Sequence, residues 1–102
     1  MKLLHIASIA LVSSSAIFRS LENPQALSRV LQTASNVDVV EASYRMTPLM
    51  WAAQNGLGRS VSLLLRRRAS VHTRDVDDYT PLVHAAINGH LSIVKELVDA
   101  GS

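Results

Sequence analysis

The sequence predicts an all-α protein, a solenoid of stacked helical hairpins joined by β-turn loops, and three observations carry that expectation. First, 48% of the 102 residues are apolar and 18% are charged, enough hydrophobic material to fold, yet Phe, Trp and Tyr make up only 4%. A core built from Leu, Val, Ile and Ala suits closely packed helices better than sheets, which draw on bulky cross-strand pairs. Second, a segment recurs at a fixed offset. Thr47-Pro48-Leu49-Met50-Trp51-Ala52-Ala53-Gln54-Asn55-Gly56 aligns without a gap with Thr80-Pro81-Leu82-Val83-His84-Ala85-Ala86-Ile87-Asn88-Gly89, 33 residues further on. Val61, Leu64 and Leu65 meet Val94, Leu97 and Val98 in the same register. Third, each copy has apolar residues on more than one side of a short helical pair, and only stacking on a like neighbour can bury them all.

The N-terminal segment, residues 1–16, has two readings. Lys2 ahead of the apolar run Leu3 to Val12, followed by the small residues Ser13 to Ala16, resembles a secretory signal peptide with cleavage after Ala16. Leu3, Leu4, Ile6, Ala7, Ala10 and Leu11 equally fit one face of an extra helix. The run is shorter than the roughly 20 apolar residues that span a bilayer, so no stable membrane insertion is expected.

Residues 17–102 read as the repeat domain. A divergent first helix is expected at about Ser14 to Glu22, with Ile17, Phe18 and Leu21 inward, then a helix near 24–34 carrying Leu27, Val30 and Leu31. The two well-matched units predict helices at 48–55 with 58–67 and at 81–88 with 91–99. Thr47 and Thr80 can cap free amides with their hydroxyls, and Pro48 and Pro81 suit the first helical position, where a missing N–H costs nothing. Leu49, Ala52 and Ala53 form a narrow stripe that lets another helix approach closely. Gly56 and Gly89 can take the left-handed conformation of a tight helix stop. Trp51, beside that stripe, is expected to wedge between the stacked units. The polar stretch Ser70 to Tyr79 lacks helical periodicity and reads as a connecting loop.

Composition narrows the chemistry. The chain has no Cys, which removes disulfides, thiolate metal sites and catalytic thiols together. A net charge of +2 is too small to act over the whole surface, so nucleic acid is not expected as a partner. No Ser stands in a Gly-x-Ser-x-Gly turn, and His84 and His90 are not spaced to share one helix face. Asp75, Asp77 and Asp78 lack both the Gly and the closing acid of a calcium loop. Gly56-Leu57-Gly58 has no following Gly-Lys. No enzymatic activity, metal or cofactor is expected. Arg66-Arg67-Arg68 is the sharpest charge feature and supports a competing function, binding of nucleic acid or an anionic surface. The plainer account is a solvated helix end where cations favour the negative pole of the dipole.

Taken together, Asp75, Thr80-Pro81-Leu82, Ala85-Ala86, Gly89-His90, the aliphatic run Leu91, Ile93, Val94, Leu97, and Ala100-Gly101 resemble the ankyrin repeat family. The earlier unit matches it through Thr47-Pro48-Leu49, Ala52-Ala53, Gly56, Val61, Leu64, Leu65, Ala69 and Val71. The resemblance is good over residues 42 to 102 and weak over about 23 to 41, where a degenerate first repeat fits. Arg45 and Asp78 stand where the family prefers Gly in the hairpin turn, and Arg68 where Gly ends the second helix. The family's His after Thr-Pro-Leu is Met50 and Val83 here, which implies weaker anchoring of the loops.

The resemblance implies a module that presents a concave surface to another protein, gripping it with loop tips and the exposed side of each first helix. The matching positions are Ser43, Tyr44, Met46, Gln54 and Asn55 in one unit and Arg74, Val76, Asp77, Tyr79, Ile87 and Asn88 in the next, with Tyr44 and Tyr79 as the best anchors. It also implies a cytoplasmic protein, with secretion the alternative if residues 1–16 are a signal peptide, and leaves open membership of a longer array.

Overall fold

The computed structural model describes residues 16–102, and every regular element in that range is a helix. Helix α1 covers residues 16–20. It is followed by α2 (Pro24–Thr33), α3 (Pro48–Gln54), α4 (Gly58–Arg66), α5 (Pro81–Ile87) and α6 (Leu91–Asp99). Both readings of the N-terminal segment concern residues that, Ala16 apart, lie outside the described ones.

The caps follow from the residue types. The side-chain oxygens of Thr47 and Thr80 accept from the amides of Met50 and Val83 at 3.3 and 3.4 Å, and Asn23 serves α2 in the same way through Ala26. A Pro opens each of these three helices. Gly56 and Gly89, at φ 72° and 74°, turn α3 into α4 and α5 into α6. Three non-glycine residues also occupy the left-handed region, Arg45 at φ 58°, Arg68 at 61° and Asp78 at 68°, at the three positions where the sequence lacks the expected Gly.

The hairpins α3/α4 and α5/α6 stack in register. The short helices α3 and α5 pack on each other in an inner row, and α2, α4 and α6 form an outer row in which α4 touches both neighbours. One aliphatic core runs through the stack, joining Ile17 and Leu21 of the first unit to Leu27 and Leu31, then Leu49, Ala52, Ala53, Val61 and Leu64, and finally Ala85, Ile93 and Leu97. Ala52, Ala53 and Ala85 are fully buried, so the small-residue stripe is what lets the inner row close up. Burial fades toward the C-terminal unit. Leu82, Val83 and Val94 are only half-buried and Ala86 is exposed, whereas their repeat counterparts Leu49, Met50, Val61 and Ala53 are at 0%. Among the described residues no further helix stacks on that side.

Polar bonds lock neighbouring units as well. The Ser60 hydroxyl, itself 1% exposed, donates to the carbonyl oxygen of Leu21. An Asp38 carboxylate oxygen accepts the Ser70 amide at 2.8 Å, and the Ser62 hydroxyl donates to Glu96 at 2.5 Å. The Val76 amide donates to the Tyr44 carbonyl oxygen at 2.9 Å, tying one loop tip directly to the next.

Candidate protein-binding groove

The loop tips are built by carboxylates that turn inward. In the second loop, Asp75 accepts the amides of Asp77 and Tyr79 at 2.9 Å each, and its other oxygen lies 2.7 Å from Nε2 of His84. Its side chain is 4% exposed and that of His84 10%, so the pair lies at the base of the loop, sheltered from solvent. Burial pushes the Asp75 carboxyl up, but the Tyr79 amide, the His84 imidazole and the Asp77 amide together hold it below its ordinary value. The first loop reaches the same result by another route. Glu41 stands one residue ahead of the position equivalent to Asp75, and its extra methylene lets Oε1 accept the amides of Tyr44 and Met46 at 2.6 and 3.3 Å while Oε2 takes that of Ser43 at 2.8 Å. Burial raises the Glu41 carboxyl, and these amides with that of Arg45 bring it below its ordinary value. Met50 and Val83 take the places of the family's His, and other side chains tie the loops. His84, one position after the family's His, supplies the link in one loop, and a glutamate supplies it in the other.

Between the two loop tips and the inner helices lies a groove of about 370 Å³, lined by Tyr44, Met46, Trp51, Gln54, Asp75, Asp77, Tyr79, His84, Ile87 and Asn88. Seven of the eleven residues inferred from the family pattern are among them. Ser43, Asn55, Arg74 and Val76 are exposed but stand outside the lining. Met46 is a correction to the expected exposed contacts. At 5% exposure it lines the groove as a buried residue, its amide donating to Glu41. Asn55 and Asn88 each spend their carboxamide N–H on their own helix, donating to the carbonyl oxygens of Trp51 and His84 at 2.8 Å.

Trp51 is a further correction. It is 40% exposed, not wedged in the core, because Leu49, Ala52 and Ala53 occupy the packed side of α3 and Trp51 falls about 200° from Leu49 around the helix. It stands in the groove with Tyr44, Tyr79 and Ile87, which are 60%, 41% and 63% exposed. The Tyr79 ring meets that of His84 edge-on, centroids 5.7 Å apart, so the Asp75–His84 bond also positions Tyr79.

The other charged features fall elsewhere. Arg66, with Arg59, Ser28 and Ser62, borders a cleft of about 420 Å³ between α2 and α4. Arg67 is the C-cap of α4 and Arg68 the left-handed residue after it, so the arginine run bends around a helix end with all three side chains exposed. Asp78 sits 3.4 Å from Arg74. Among the described residues, no group of three or more His, Asp or Glu is placed to hold a metal ion. No helix there is long and apolar enough to cross a membrane.

A family model described as ankyrin repeats (3 copies) matches residues 4–102. The chain belongs to the ankyrin repeat family. Individual relatives agree. The chain is 51% identical over 55 residues to the bovine (Bos taurus) ankyrin repeat domain-containing protein 49, a stretch covering 53% of this chain and 23% of that protein. It is 36% identical over 73 residues to the palmitoyltransferase AKR1 of Lachancea kluyveri, 72% of this chain and 10% of that protein. With the ankyrin repeat and KH domain-containing protein mask of Drosophila melanogaster it shares 41% identity over 58 residues, 57% of this chain and 1% of that protein. The chain thus spans about a quarter or less of the length of these curated relatives. Ankyrin repeats are in general protein-interaction modules.

Proposed function

We propose that this ankyrin chain is a non-catalytic protein-binding module that grips its partner in the groove between the Tyr44 and Tyr79 loop tips and helices α3 and α5. One observation supports this above all others. In a protein with few aromatic residues, Trp51, Tyr44 and Tyr79 stay partly in solvent beside Ile87, on a scaffold whose loops are held by the amide-bonded carboxylates of Asp75 and Glu41. Tyr and Trp offer large contact area with little side-chain freedom to lose, and they are over-represented among residues that dominate binding energy. Anchoring of the loop tips before binding lowers the ordering cost further.

Site-specific photo-crosslinking tests the proposal. A benzophenone side chain placed at Tyr79 or Ile87 of the full chain should give a discrete protein adduct that the same group at Arg66 does not. Adducts formed only from Arg66 would refute the groove and favour the arginine run as the interacting surface.

A further inference from the structure

The groove also has its own charge pattern among the described residues. Among the described residues there are nine Lys and Arg, ten in the chain less Lys2, yet none lines the groove, where the carboxylates are Asp75 and Asp77. Asp75 is consumed by two amides and His84. Asp77 is exposed, and its amide is fixed by Asp75, so its carboxylate rides on a held loop tip in the groove that Tyr44, Trp51, Tyr79 and His84 also line. Arg74, which could neutralise it, stands outside the lining and faces Asp78 instead. Aromatic rings present negative faces, and an indole or phenol beside a carboxylate attracts a cation while accepting the aliphatic stem that carries it. A volume of about 370 Å³ is near the low end of ligand pockets, roughly 300 to 1,000 Å³, and suits one long side chain with its neighbours.

We propose that the groove receives an arginine or lysine side chain from a basic segment of the partner protein, its stem against Ile87 and Trp51 and its charge between the rings and Asp77. This rests on the groove being the partner surface. Basic segments satisfy both features of the site, whereas an acidic segment would meet Asp77 and the ring faces with repulsion, and an apolar one would leave Asp77 without a counter-ion.

Trp51 is the single Trp, so its intrinsic fluorescence reports on the groove directly. The full chain is titrated with short capped peptides of sequence Gly-Leu-X-Leu-Gly in which X is Arg, Lys, Gln or Glu, at millimolar concentrations and low salt. The Arg and Lys peptides should shift Trp51 emission saturably and bind about tenfold more tightly than the Gln peptide, with the Glu peptide weakest. Asp77→Asn should reduce the Arg preference to about threefold or less, while Asp99→Asn, on the outer helix, should leave it intact. Equal or tighter binding of the Gln or Glu peptide, an Asp77→Asn chain with unchanged preference, or no saturable response to any peptide would overturn the proposal. The two readings fail separately. A groove crosslink to an acidic or apolar segment removes the basic specificity and keeps protein binding, whereas loss of the groove crosslinks removes both.

Discussion

Gly56 and Gly89 occupy equivalent turns with nearly the same φ, 72° and 74°, yet they should respond differently to alanine. Both substitutions put a Cβ in the left-handed region, at a cost of about 1 kcal/mol. At Gly89 the new Cβ would meet nothing within 4 Å, so that cost is the whole effect. At Gly56 it would lie 2.7 Å from Cε1 and 2.9 Å from Nδ1 of His90. The imidazole must move, and it is held, because its Nε2 bonds the Gln54 carbonyl oxygen at 3.0 Å. Moving it forfeits a hydrogen bond worth about 0.5 to 1.5 kcal/mol and forces an off-rotamer side chain at a similar cost. The expected losses are therefore about 1 kcal/mol for Gly89→Ala and about 2 to 4 kcal/mol for Gly56→Ala. In thermal melts followed by circular dichroism, Gly89→Ala should lower Tm by about 4 to 8 °C, and Gly56→Ala by two to four times as much. A His90→Ala background should remove the excess, leaving Gly56→Ala at about 1 kcal/mol. Equal losses for the two glycines, or an excess that survives in His90→Ala, would refute the argument that His90 packs over Gly56.

Three further outcomes follow from the same structure. Arg68→Gly, at φ 61°, should raise the urea midpoint by the equivalent of up to about 1 kcal/mol, and Asp78→Gly by less, since Asp tolerates that region better; a lower midpoint for Arg68→Gly counts against strain there. Asp75 and Glu41 are held below their ordinary values in the folded state, so the stability they contribute is intact above those values and drains as pH falls through the folded ones. Stability measured by urea should therefore decline below about pH 4, with a shallower decline in Asp75→Asn; an identical slope in that variant would deny the loop carboxylate this role. Ser60→Ala leaves the Leu21 carbonyl without its donor and should cost about 1 to 3 kcal/mol, against about 0.5 to 1.5 kcal/mol for Ser62→Ala at the half-buried Glu96 bond; equal costs would contradict the burial difference.

Most of the fold is legible in the chain because its signals are local. Thr-Pro, the Leu-x-x-Ala-Ala stripe and the terminating Gly each act within one helical turn, so α3, α4, α5 and α6 fall within a residue or two of their expected bounds. The fixed offset adds the stacking, since two similar helical pairs with apolar residues at matching positions can bury them on each other. The backbone conformation of Arg45, Arg68 and Asp78 was likewise predictable, because the repeat specifies the turn even where the residue is unfavourable.

The groove was legible only in outline. Loop-tip positions follow from the repeat, but which side chains face the cavity depends on what the neighbouring helix leaves free. Trp51 illustrates the limit. As an apolar residue beside two alanines it reads as core, and only the packing of α3 against α4 and α5, which occupies Leu49, Ala52 and Ala53, turns it toward solvent. Glu41 escapes the pattern because it stands one residue out of register and compensates with a longer side chain, a substitution visible only when the amides it reaches are in place. Residue types and spacing along the chain determined the helices, their caps and their stacking, since each depends on neighbours within a turn or on the repeat itself. The tertiary structure alone decided the polar ties from Ser60 to Leu21 and from Asp38 to Ser70, the Asp75–His84 link and the aromatic groove. These contacts join atoms whose separation is set by how one unit rests on the next.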